Sequence, residues 1–195
     1  MVTTAVEMGL LTLDEFIRRF DEEGPFEILD GEIAPKMPNV ARHTLTMHKL
    51  FRALTPFDQA GRIAVFMEAT FVLLSEAGWV KGARIPDLMV YEAARLKAYY
   101  ESTPDWEDKP FALVPDLAIE IVSPNDKYSD IDARVERYLQ DGVRLVWIVD
   151  PQRRKVVAHR PGGAPSVSLI LGDTLTGAEV IAEFALPLAE LFAIP

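Results

Sequence analysis

Two carboxylates in this sequence stand where carboxylates are costly. Glu120 interrupts the run Leu117-Ala118-Ile119-Glu120-Ile121-Val122, in which every other residue is apolar. Such a run reads as a central strand covered on both faces. A carboxylate inside it is buried at a cost of several kcal/mol unless it is paired, protonated or bound to a metal. The uneventful alternatives are a glutamate at a sheet edge or one paired with an arginine. Asp87 follows Pro86 at the entry to a second apolar run, Ile85 to Tyr91. Pro-Asp by itself carries little, since Pro104-Asp105, Pro115-Asp116 and the reversed Asp150-Pro151 also occur. What sets Asp87 apart is its partner, because the strand bearing Glu120 follows 33 residues later. Two carboxylates on neighbouring strands can converge on one hard divalent cation, which prefers oxygen ligands and keeps several waters. That cation polarises a phosphoryl oxygen and lowers the pKa of a bound water.

Other residues are weaker candidates. Glu27 and Glu32 flank an Asp30-Gly31 turn and either could lend a third carboxylate, although cross-strand solvent charges are the commoner use of such positions. His43 opens a helix and could touch metal or substrate. With His48 it stands at a spacing of five rather than the i, i+4 of a helical zinc pair. Asp126, Asp130 and Asp132 surround a helix start, where acids are welcome for dipole reasons alone. Pro161-Gly162-Gly163 is a turn and not a phosphate-binding loop, and no serine stands in a G-x-S-x-G elbow. The chain has no cysteine, so disulfides, thiolate metal sites and a cysteine nucleophile are all out.

The elements that must position these groups follow from pattern. Thr12-Leu13-Asp14-Glu15 fits a capping box, and Leu13, Phe16, Ile17 and Phe20 continue at helical spacing, predicting a helix over 12–22. Asp30-Gly31 between the apolar-rich runs of residues 26–34 predicts a hairpin. Residues 40–57 read as a helix offering Leu45, His48, Leu50, Phe51 and Leu54 to one face, with Pro56 ending or bending it. Residues 62–74 are one long strand or two joined by a bend, and 85–91 a strand with its proline at the entry. After a short helix and an irregular loop over 93–114 come strand 117–122, helix 129–141 closed by Gly142, and strand 143–149. Ser123-Pro124-Asn125-Asp126 stops the first of these strands. Lys155–Arg160 returns as a hairpin, and a β-rich tail ends in a turn of helix at 188–192. Strand–helix–strand over 117–149 calls for a parallel crossover and hence a mixed α/β sheet.

With 195 residues, 49% hydrophobic and 26% charged, the chain suits a single globular domain over 1–195, its core about 25–160. The opening MVTTAVEMGLLTLDEF has no basic residue ahead of its short apolar patch and is not read as a secretory leader. No run of eighteen apolar residues predicts a membrane span, so a cytoplasmic protein is expected. A net charge of −10 argues against indiscriminate binding to DNA or RNA, though a local basic patch can still hold a phosphate chain.

Taken together, Ile85-Pro86-Asp87, Leu117 to Pro124, and Tyr138-Leu139-Gln140-Asp141-Gly142-Val143 through Asp150-Pro151 resemble the Uma-type restriction endonuclease family, a branch of the PD-(D/E)XK superfamily. The hairpin Glu27 to Glu32 and His43 extend the likeness to residues 10–192. The resemblance implies a restriction endonuclease-like α/β core: a mixed β-sheet flanked by helices, with an N-terminal helix and hairpin and a β-rich C-terminal tail. It also implies Mg²⁺ or Mn²⁺ held by Asp87, Glu120 and the main-chain carbonyl of Ile121, and phosphodiester hydrolysis, with DNA as the expected substrate and RNA left open. Two departures stand out. The superfamily lysine two residues after the second acid is Val122 here. The position from which the Uma-type branch supplies a lysine instead, on the following helix, is Arg134. Arginine keeps the charge that stabilises a phosphoryl transition state but cannot accept a proton. Lys127 is the fallback, as the only lysine near the end of that strand. The alternatives are a catalytically weak or inactive module of the same fold that binds nucleic acid or a protein, and a hydrolase of smaller phosphoesters. The hairpin and tail offer surfaces for a two-fold homodimer.

Overall fold

The structure, a computed structural model, describes residues 11–124 and 126–194. The readings made on residues 1–10 and on Asn125 lie outside these. In chain order the elements are β1 (Leu11–Thr12), α1 (Leu13–Glu23), β2 (Phe26–Leu29), β3 (Glu32–Pro35), α2 (Ala41–Gln59), β4 (Ile63–Met67), β5 (Phe71–Leu74), β6 (Trp79–Arg84), β7 (Leu88–Glu92) and α3 (Ala93–Ser102). They continue with β8 (Leu117–Ile121), α4 (Tyr128–Asp141), β9 (Leu145–Asp150), β10 (Lys155–His159), β11 (Val167–Leu169), β12 (Thr174–Gly177), β13 (Ile181–Pro187) and α5 (Leu188–Leu191).

Six strands in the order β11-β10-β9-β8-β7-β4 make the central sheet, in which only β8 and β9 run parallel. Because side chains alternate across a strand, its two faces carry two different cores. Leu88, Val90, Leu117, Ile119, Leu145 and Trp147 pack with α2, β13 and α5. Met89, Tyr91, Ala118, Val146 and Ile148 pack with α3 and α4. A second sheet, β1-β6-β2-β3 with β5 also on β6, is lined by Phe16 of α1 against Phe26, Ile28, Val72 and Val80. The chain passes from the second sheet to the central one in the three residues between β6 and β7, which are Ile85, Pro86 and Asp87. The architecture is the mixed sheet flanked by helices, with an N-terminal helix and hairpin, that the sequence led us to expect.

Local signals account for the ends of the elements. Thr12 and Glu15 form the capping box of α1, each satisfying the other's backbone N–H. Asp30 and Gly31 both take positive φ between β2 and β3, as a two-residue hairpin requires. Gly142, at φ 103°, closes α4 in the left-handed region.

Three local expectations need correction. The inner stripe of α2 is His43, Thr46, Met47, Leu50 and Leu54, whereas Leu45 and His48 face solvent. The helix is rotated so that His43, a polar residue, points inward to a carboxylate described below. Pro56 does not end α2, which runs on to Gln59, because a proline in the last, exposed turn removes a bond where few remain to be made. Strand β7 begins at Leu88 rather than Ile85, leaving Pro86 in the sheet-to-sheet connection where no ladder bond is lost.

Asp116, which the sequence offered only as an unremarkable Pro-Asp, is fully buried at the far end of β8. It accepts from the Glu92 N–H at 2.8 Å, Arg95 at 3.0 Å and Arg144 at 3.2 Å, tying β7, α3 and the entry to β9. Asp116→Ala is expected to lower folding stability by about 2 kcal/mol, since the two arginines stay partly hydrated while the buried N–H loses its acceptor. Urea unfolding reads this directly, and a loss within experimental error would rule out that anchoring role.

Candidate active site

Register brings Asp87 and Glu120 together. In the antiparallel pair β7/β8, Leu88 faces Ile119 and Met89 faces Ala118. Asp87 and Glu120 are the next residues beyond the paired Leu88 and Ile119, and Asp87 Oδ2 reaches across to the Ile121 N–H at 2.7 Å. Glu120 meets α4 and Asp87 meets His43 of α2, and both acids are buried, at 4% and 2% exposure. They line one cavity of about 330 Å³ together with Glu27, Lys36, His43, Ile121 and Arg134.

Each carboxylate has its own set of donors. Asp87 Oδ2 accepts from the Ile121 N–H at 2.7 Å and bonds His43 Nε2 at 2.9 Å, while Oδ1 accepts from Lys36 Nζ at 3.1 Å. Burial alone would push the Asp87 carboxyl up, but the bonds and charges of His43, Lys36 and the Ile121 N–H outweigh it and hold the group below its ordinary range. Glu120 Oε2 accepts from Arg134 Nη1 at 2.7 Å and Oε1 from the Tyr138 hydroxyl, one turn apart on α4. Here burial prevails. It pushes the Glu120 carboxyl up, with Asp87 and Glu27 adding repulsion and Arg134 and Lys36 opposing. Two adjacent acids are thus driven in opposite directions, a pattern that marks candidate functional sites.

The second sheet delivers the rest. Glu27, on β2, is buried and accepts the Ile85 N–H at 2.9 Å. Lys36, just past β3, donates to the Ile85 carbonyl at 2.8 Å. Both polar groups of Ile85 are therefore satisfied by side chains of the hairpin, which fixes the connection that aims Asp87. Burial would push the Lys36 ammonium down, but Glu120, Asp87 and Glu27 outweigh it and raise its pKa.

Several residues named from sequence meet here and others do not. Asp87, Glu120, Ile121, Glu27, His43 and Arg134 border one cavity. Glu32 is exposed, because its partner is Leu29 at the turn end of the hairpin, whereas Glu27 pairs with Ala34 further along the strand toward Ile85. Lys127 is exposed at the N-cap of α4 and does not border the cavity, since the helix carries Arg134 and not its own cap toward Glu120. Sequence reasoning missed Lys36 and the hydroxyl of Tyr138. Lys36 is 84 residues from Glu120 along the chain, and only the packing of two sheets joins them. The arginine-paired reading of Glu120 is also realised, so burial and pairing coexist.

The donor set suits a hard cation. Among the described residues no three His, Asp or Glu side chains are arranged to hold a metal ion. A cation here would rest on the carboxylate pair, a main-chain oxygen and water, as Mg²⁺ does, rather than in a closed side-chain cage.

Glu120 also gives a pH signature. A carboxylate with a folded pKa above its ordinary 4.5 contributes stability that is fully present below 4.5 and is lost as pH rises through the folded value. In EDTA, wild type is expected to lose Tm relative to Glu120→Gln as pH rises above 4.5. Parallel curves for the two proteins would mean that Glu120 is not perturbed.

The fold is one seen before. The crystal structure of a protein from Anabaena variabilis ATCC 29413, described as "a putative nuclease belonging to DUF820", superposes with a TM-score of 0.75 over 93% of this chain and 97% of that one, at 21% identity. The family model for Uma2, described as "Putative restriction endonuclease", matches residues 13–189, and the chain belongs to that family. No curated protein matches it significantly. Among the described residues no helix is long and apolar enough to cross a membrane.

Proposed function

We propose that the protein is a divalent metal-dependent endonuclease that hydrolyses phosphodiesters, with DNA as substrate. The observation that carries this reading is the cross-strand pair of Asp87 and Glu120, two buried acids facing one cavity with opposed pKa shifts. Asp87 and Glu120 would hold Mg²⁺ or Mn²⁺ with the Ile121 carbonyl. The cation would supply Lewis-acid polarisation of a phosphoryl oxygen and a more acidic bound water. The protein's own groups orient that pair. His43 and the Ile121 N–H fix Asp87, and Tyr138 and Arg134 fix Glu120, so neither carboxylate has to be reorganised on loading. Arg134 is one-third exposed and spends one edge of its guanidinium on Glu120, leaving other N–H groups for a phosphate oxygen. It adds charge and no proton acceptor.

Family membership and the likeness to the Anabaena protein support a nuclease, and the net charge of −10 favours a second reading, a module that binds without efficient turnover. Incubation of supercoiled plasmid and single-stranded DNA at low salt with Mg²⁺, Mn²⁺ or EDTA separates them. The first reading expects nicking or linearisation that EDTA abolishes. Intact DNA, with no Mn²⁺ binding by the protein, supports the second.

A further inference from the structure

We propose that Lys36 is a resident counter-ion for the carboxylate pair, one that a divalent cation must displace from Asp87 and that then faces the phosphoryl group undergoing hydrolysis. This rests on the metal-dependent reading above.

The ammonium is placed as a hard cation would be. Nζ is 3.1 Å from Asp87 Oδ1 and 2.8 Å from the Ile85 carbonyl oxygen, with Glu120 and Glu27 acting on it electrostatically. Among the described residues that line the cavity Lys36 is the only ammonium, and Arg134 bonds Glu120 through one edge of its guanidinium. An ammonium and a divalent cation close to one carboxylate repel each other strongly in a partly desolvated cavity. The Ile85 carbonyl gives the side chain a second anchor, so leaving Asp87 does not return it to bulk water. Lysine has a compact head on a flexible stem, which allows such a shift where arginine's planar fork does not.

In the reaction, water loses a proton to solvent as its oxygen forms a P–O bond, and the P–O bond to the leaving oxygen breaks. That oxygen departs with the electron pair and takes up a proton from solvent. Lys36 forms no covalent bond and donates hydrogen bonds to a non-bridging oxygen as charge develops there.

The test compares wild type, Lys36→Met and Lys36→Arg for Mn²⁺ affinity without DNA, by calorimetry, and for plasmid cleavage at saturating Mn²⁺. Lys36→Met is expected to bind Mn²⁺ about 10-fold or more tighter and to cleave about 100-fold slower. Lys36→Arg, which keeps the charge and controls for folding, should show no gain in affinity. A merely structural lysine would give weaker or unchanged binding on removal. Unchanged affinity in Lys36→Met, or tighter binding with undiminished cleavage, overturns the proposal. Absence of Mn²⁺ binding in all three proteins would instead overturn the metal site itself.

Discussion

Asp87→Asn should reduce metal-dependent cleavage by about 10³-fold or more, a loss on the order of 4 kcal/mol in transition-state stabilisation. The substitution keeps the side chain's volume and can leave an oxygen for the Ile121 N–H, so the connection between the sheets survives. What it removes is the charge that a divalent cation needs and that His43 and Lys36 now stabilise. Mn²⁺ binding should fall in step with cleavage, while the melting transition stays cooperative. Cleavage within tenfold of wild type in a well-folded Asp87→Asn protein would place the chemistry elsewhere.

The largest stability effect is expected at Arg84. Its guanidinium is buried on β6, 3.0 Å from Asp141 at the end of α4, and it also bonds the Ile28 carbonyl of β2. It therefore clamps the sheet that supplies Glu27 and Lys36 to the helix that supplies Arg134 and Tyr138. Burial pushes the Asp141 carboxyl up against the pull of Arg84, so the acid already stands close to its limit. Arg84→Ala leaves it with one fewer cation and should cost about 3–5 kcal/mol, or roughly 6–20 °C in Tm. The double variant Arg84→Met, Asp141→Leu should recover most of that loss, because the cost comes from a stranded charge and not from a missing attraction. A single-variant loss under about 1 kcal/mol would mean that water reaches the pair.

Much of the scaffold was legible in the sequence because its signals are local. The capping box at Thr12 and Glu15, the Asp30-Gly31 turn and Gly142 each act within one turn of chain, and each stands where pattern put it. The unbroken apolar run around Glu120 already implied a strand covered on both faces, and the acid inside it was conspicuous for that reason. The rotation of α2 was not legible, because alternative apolar stripes at helical spacing compete and a buried His43 makes sense only beside Asp87.

The sequence by itself determined the elements, the two acids and the family likeness, all of which depend on residues near one another or on a long ordered pattern. Tertiary structure alone decided that Asp87 and Glu120 meet at one cavity, since strand register depends on which faces are buried and not on the number of intervening residues. It also decided that Glu27 rather than Glu32, and Lys36 rather than Lys127, border the cavity. Those choices follow from the packing of the hairpin sheet against the central sheet, a contact between segments far apart in the chain that no local spacing encodes.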